Sequence, residues 1–154
     1  MHRVKYRRDL GLGDSLATQM LPYIASLGWP IDMVVPVPLG RKRFQERGYN
    51  QVGLIARPIA LAQGWNYAPR ALARARETNS QVGLSANERQ RNVRGAFIAD
   101  SQRVHGRCIL IVDDVATTGA TLTACAQALM DGGAREVYAL TVARALPRHG
   151  LTTV

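Results

Sequence analysis

The sequence predicts an α/β fold: three layers, with a mainly parallel sheet and helices flanking it. Three observations carry this. Short apolar strands alternate with segments of helical period, the pattern of βαβ units. The strongest strand, Cys108-Ile109-Leu110-Ile111-Val112, is a continuous apolar run, as expected of a buried sheet member. The chain has 154 residues, 47% of them apolar, enough for one domain with a substantial core.

The elements follow in order. Residues 14–27 have helical spacing, with Leu16, Met20, Ile24 and Leu27 on one side. Asp14 or Ser15 suits the N-cap and Gly28 the C-cap. Pro22 inside this stretch argues for a kink or a late start. Met33-Val34-Val35 is a short strand ended by Pro36-Val37-Pro38, which cannot continue a ladder. Residues 41–48 read as a basic loop. Asn50 opens a second helix, with Val52, Ile55, Ile59 and Leu61 as its apolar side and Gly64 as its end. Residues 65–72 suggest a strand weakened by Pro69, and 73–84 are polar and basic without period. Ser85-Ala86-Asn87-Glu88 is a capping-box pattern for a short helix to about Asn92. Ala96-Phe97-Ile98 is a small strand. After the strand at Cys108 come a helix over 121–130, closed by Gly132-Gly133, and a last strand over 136–143.

Composition narrows the function classes. Formal net charge is +9, and 18 of the 20 basic residues are arginines. Arginine's planar fork suits phosphate oxygens, and such a balance points to nucleic acid, an anionic membrane or a polyphosphate ligand. Many arginines between Arg41 and Arg94 fall in segments of loop-like composition, unlike the helical face of a groove reader. No apolar run reaches the ~18 residues of a membrane span. The basic N-terminus is followed by no apolar stretch, which argues against a signal peptide. Cys108 and Cys125 form no CxxC pair and read as buried thiols in a reducing cytoplasm.

The chemistry concentrates in Ile109-Leu110-Ile111-Val112-Asp113-Asp114-Val115-Ala116-Thr117-Thr118-Gly119-Ala120-Thr121. In an open α/β sheet, ligands bind beyond the carboxyl ends of the strands. Asp113 and Asp114 fall at that edge. The loop after them runs into a helix whose N-terminus can meet an anion. Thr117, Thr118 and Thr121 offer hydroxyls, and Gly119 lets the backbone approach closely. Carboxylates repel phosphate but suit a vicinal diol. A sugar phosphate therefore satisfies both halves: diol on the acids, 5′-phosphate in the loop. There is no GxxxxGK[ST] loop, no dinucleotide fingerprint, no nucleophile elbow and no His/Cys metal cluster in the sequence.

This stretch resembles the phosphoribosyl diphosphate (PRPP) motif of type I phosphoribosyltransferases: an apolar strand, two acids, then a Thr-Thr-Gly loop with a further Thr. Beyond the motif the chain is similar to the ComF/GntX branch of that superfamily. The resemblance rests on Val35-Pro36-Val37-Pro38-Leu39, Arg47-Gly48-Tyr49-Asn50-Gln51, Arg76-Glu77-Thr78-Asn79-Ser80-Gln81 and Arg89-Gln90-Arg91-Asn92-Val93. Members of that branch usually begin with a cysteine-rich segment that looks zinc-binding; this sequence has no such segment.

The resemblance implies a single phosphoribosyltransferase-like domain over 1–154: a small hood and first helix over 1–30, a core over 31–146 and a tail over 147–154. It implies that Asp113 and Asp114 hold the ribose hydroxyls. It gives Ala116, Thr117, Thr118, Gly119, Ala120 and Thr121 to the 5′-phosphate. Pro38, Leu39, Gly40 and Arg41, with Arg47 nearby, would approach the pyrophosphate. Residues 74–94 resemble the loop that closes over the site, with Arg76 and Arg89 as its phosphate contacts. Mg²⁺ is the implied cofactor, carried on PRPP and touching Asp113 and Asp114. The implied partners are PRPP and a small-molecule acceptor, with a homodimer by analogy, no membrane and a cytoplasmic location. Two other readings stand beside the transferase. One is a competence-type accessory protein that binds single-stranded DNA, and the other is a PRPP sensor that has lost catalysis.

Overall fold

The structure is a computed structural model and describes residues 2–76 and 86–145. The chain begins with helix α1 (His2–Ser26) and strand β1 (Met33–Pro36). Helices α2 (Arg41–Arg47) and α3 (Gln51–Gln63) follow, then strands β2 (Asn66–Tyr67) and β3 (Leu72–Arg74). Next are α4 (Ala86–Val93), β4 (Phe97–Ala99) and α5 (Ser101–Val104). Strand β5 (Cys108–Ala116), helix α6 (Ala120–Asp131) and strand β6 (Glu136–Arg144) complete it. Four strands form a parallel sheet in the order β2-β1-β5-β6, while β3 and β4 pair antiparallel as a separate ribbon.

Strand periodicity sorts the core into two faces. Met33, Val35, Val37, Ile109 and Ile111 point to one side, where α6, α4 and the β3–β4 ribbon cover them with Cys125, Leu129, Val93, Leu72 and Phe97. Val34, Leu110, Val112 and Leu140 point to the other, against Ile24 of α1 and Ile55, Ala56 and Ile59 of α3. Both faces of β5 are thus covered, which is why that strand is apolar without alternation. The three-layer α/β expectation holds.

Several local expectations are corrected. The first helix starts twelve residues earlier than Asp14 and runs unbroken past Pro22. Thr18, whose carbonyl loses its helical partner to that proline, lies on the exposed side, where water can replace the bond. The basic stretch is a helix, not a loop: α2 has no buried residue, so no apolar stripe betrays it. The single strand expected over 65–72 splits, with Pro69 in the turn between β2 and β3. The short helix α5 has no counterpart among the sequence expectations. Ser85 lies outside the described residues, as does the tail from 146 onward.

Helices α1 and α3 meet at a proline. Pro58 in α3 cannot donate to the Leu54 carbonyl. A Cβ on Gly13 of α1 would lie 2.7 Å from that oxygen. Glycine at 13 is what lets the two backbones close at this point.

Candidate functional site

Strand β5 carries the site, and it runs four residues further than the apolar run. Its ladder with β6 continues through Asp113↔Thr141, Val115↔Ala143 and Ala116↔Arg144. The two acids are therefore fixed by sheet register rather than set on a loop. Alternation sends them to opposite faces. Asp113 shares the face of Ile109 and Ile111 and is 9% exposed, whereas Asp114 is open to solvent. The Asp114 N–H donates to Asp113 Oδ1 at 3.0 Å, and the Val115 N–H donates to Asp114 Oδ1 at 2.7 Å. The Thr141 hydroxyl donates to the Asp114 carbonyl at 3.2 Å. Burial, and then the charge of Asp114, push Asp113 up to about 7. The same burial raises the Cys125 thiol, with the Asp113 charge adding to the effect.

After β5 the chain turns through Thr117, Thr118 and Gly119 into α6. Gly119 holds φ 80° at the N-cap, a left-handed value that favours glycine. The Ala120 N–H approaches Thr118 Oγ1 at 3.4 Å. A cavity of about 30 Å³ lies here, lined by residues 115–122 and Asp113. Apart from Asp113 its lining carries no ionisable side chain. Peptide N–H groups at the start of α6 supply the positive end of the helix dipole.

Beside it opens a cleft of about 690 Å³. One wall is the carboxyl end of β5 with Asp113, Asp114 and Val115. The other is the segment after β1 with Pro38, Leu39 and Gly40, continued by Lys42, Arg43 and Arg47 of α2. Arg74, at the end of β3, lines it too and stacks its guanidinium 5.4 Å from the Phe97 ring centre. Asp113, Val115 and Thr121 line both the cavity and the cleft, so the two spaces adjoin.

The fold thus gathers most of the candidate residues in one place. Asp113 and residues 116–121 surround the cavity. The two acids, Thr121, residues 38–40 and Arg47 line the cleft. Arg41 starts α2 and is exposed, but it is not among the lining residues. Arg76 is directed elsewhere: its guanidinium donates to the carbonyls of Asn92 at 3.2 Å and Arg94 at 2.9 Å. Arg89 belongs to α4, and its side chain lies outside the described residues. Lys42, Arg43 and Arg74 line the cleft although sequence reasoning does not single them out. The signal for Arg74 is its ladder pairing with Phe97, which a strand assignment at 72–74 would expose. Among the described residues no three His, Cys, Asp or Glu side chains cluster as a metal site, and no helix is long and apolar enough to cross a membrane.

Comparison with known proteins identifies the family and the fold. The family described as "Phosphoribosyl transferase domain" matches residues 24–150. The DNA utilization protein YhgH of Salmonella typhi is 36% identical over 151 residues, covering 95% of this chain and 66% of that protein. Competence protein F of Haemophilus influenzae is 33% identical over 116 residues, covering 74% of this chain and 51% of that protein. The chain therefore spans about half to two thirds of the length of these curated relatives. Among solved structures, the glutamine PRPP amidotransferase of B. subtilis, complexed with ADP and GMP, shares the fold. It aligns with TM-score 0.55 and 24% identity over 87% of this chain and 26% of its own. A strand that carries two adjacent carboxylates near its carboxyl end, a threonine–glycine turn into α6, and a match over most of the chain lead to one assignment: this protein belongs to the phosphoribosyl transferase domain family, in the branch of the competence and DNA-utilization proteins.

Proposed function

We propose that the chain binds PRPP with Mg²⁺ and transfers its phosphoribosyl group to a nucleophile, releasing pyrophosphate. The observation that carries this reading is that the cavity and the cleft adjoin, sharing Asp113, Val115 and Thr121 as lining. A cradle of hydroxyls and peptide N–H groups, a carboxylate pair and a cationic wall then stand next to one another. A molecule with a phosphate at one end, a diol in the middle and a diphosphate at the other fits that order of chemistry.

The roles follow from position. Residues 116–121 take the 5′-phosphate at the start of α6. Asp114 accepts from the ribose hydroxyls. Asp113, with a pKa near 7, can donate as well as accept at neutral pH. When the bond between C1 and the diphosphate oxygen breaks, its electron pair leaves with pyrophosphate, whose growing charge faces Lys42, Arg43 and Arg47. The positive charge left on the ribose faces the acids. The acceptor's lone pair forms the new bond at C1, and its proton, where it has one, is released. Among the described residues no third such ligand joins Asp113 and Asp114; the two would hold Mg²⁺, which would take its remaining ligands from substrate oxygens and water. Bound there, the ion would neutralise the leaving group. Two free, buried cysteines suit a cytoplasmic location.

PRPP with Mg²⁺ at 100 times its Kd should stabilise the protein by about 2.7 kcal/mol. For a domain of this size that is roughly 5–10 °C in Tm. The double variant Asp113→Asn/Asp114→Asn should abolish the shift. Absence of a shift in the unmodified protein at millimolar PRPP overturns the proposal. Pyrophosphate release across a panel of nucleobases, amines and aromatic acids then identifies the acceptor.

A second reading, a DNA-processing accessory role, is favoured by the names of the relatives and by the four cations of exposed α2. It predicts single-strand affinity that falls steeply with salt and with Arg→Ala changes in α2. No affinity at low salt removes it.

A further inference from the structure

The segment Arg47-Gly48-Tyr49-Asn50-Gln51 is built as an elbow between two helices, and one side chain in it reaches the cleft wall. Gly48, at φ 78°, closes α2, and its N–H donates to the Phe44 carbonyl at 2.7 Å. Asn50 caps α3, its Oδ1 accepting from the Val52 N–H at 3.1 Å. Arg47 donates across the bend to Gln51 Oε1. These bonds are local. Asn50 Nδ2 makes one that is not: it donates to the carbonyl of Val37, thirteen residues back, at 2.9 Å.

Val37 is where the sheet stops holding the chain. Its N–H still donates to Val112 of β5 at 2.9 Å, but β1 ends at Pro36. The next residue, Pro38, has no N–H to offer. Val37 is buried at the edge of the cleft, where a carbonyl without a partner is costly. Asn50 supplies that partner. Val37 is thereby held on both sides, by the sheet through its N–H and by α3 through its carbonyl. Pro38, Leu39 and Gly40 leave from that point to line the cleft.

We infer that Asn50 is a positioning residue for the anion-binding wall: one amide both starts α3 and fixes the departure point of residues 38–40. The ligand in this inference rests on the phosphoribosyl reading; the strut itself does not. The two functions of the amide use different atoms and can be separated. Asn50→Ser keeps a good N-cap acceptor but cannot span to Val37. Asn50→Asp keeps the acceptor with a full charge and loses the donor.

The test compares both variants and Asn50→Ala with the unmodified protein by thermal melting, calorimetric titration with PRPP and Mg²⁺, and amide hydrogen exchange of the ligand-free protein. Asn50→Ser and Asn50→Asp should melt several degrees below the unmodified protein through the lost bond to Val37, and Asn50→Ala, which loses the cap as well, lower still. Ser and Asp, differing in charge, should both raise the PRPP Kd about tenfold, the scale of one lost hydrogen bond. Both should speed exchange at Val37, whose N–H is held by the Val112 carbonyl. Unchanged exchange at Val37 in the two variants overturns the strut, and faster exchange with unchanged Kd overturns its role in binding. If the unmodified protein binds no PRPP, the phosphoribosyl reading fails instead, and exchange alone decides whether Asn50 holds the wall.

Discussion

Asp113→Asn should make the free protein more stable at neutral and alkaline pH while removing its affinity for PRPP. Asp113 is 9% exposed and shares its end of β5 with a second carboxylate. The fold raises its pKa from 3.8 to about 7. Below about pH 4 the group is protonated in both folded and unfolded chains and contributes nothing. As pH rises, the unfolded chain ionises first while the folded chain keeps its proton. Stability is therefore lost progressively from about pH 4 to about pH 7. A rise of that size corresponds to roughly 4 kcal/mol at most. Asparagine keeps an oxygen for the Asp114 N–H and cannot ionise. The difference between variant and unmodified protein should be near zero at pH 4 and approach roughly 4 kcal/mol at pH 8, or about 8–16 °C in Tm. Urea denaturation of both proteins at half-unit steps from pH 4.5 to 8.5 measures it. A difference that does not change with pH, or a variant less stable at pH 8, refutes the reasoning.

Two backbone positions give further tests. Gly119→Ala forces a Cβ into a left-handed N-cap and should cost about 1 kcal/mol by calorimetry; PRPP binding should weaken with it, since the cradle must reshape. Gly13→Val places a branched side chain against the Leu54 carbonyl; overpacking of that order costs about 1–3 kcal/mol, read as a lower urea midpoint with PRPP affinity retained in the folded fraction.

What the sequence could and could not disclose follows from where energy is visible in it. The core strands and α3 announce themselves through apolar period, because burial selects residue type at each position. The acid pair and the Thr-Thr-Gly turn stand out because they interrupt that pattern. Helix α2 has seven exposed residues, including Phe44, so nothing in its period distinguishes helix from loop. The extension of β5 through both acids depends on pairing with β6, a partner some twenty-eight residues away. Arg74 is hidden for the same reason: its neighbour Phe97 arrives from across the β3–β4 ladder. Arg76 shows the converse limit. Its place in a motif suggests a ligand contact, while its bonds run to the Asn92 and Arg94 carbonyls.

That tie by Arg76 has a consequence for how this region can be altered. One guanidinium clasps the chain to positions sixteen and eighteen residues further on. Val93, which lies between those two carbonyls, is fully buried in the core. The clasp therefore pins the end of α4 at the point where its last side chain enters the layer that covers the sheet, and an Arg76 substitution would loosen that layer while leaving the acid pair and its turn in register.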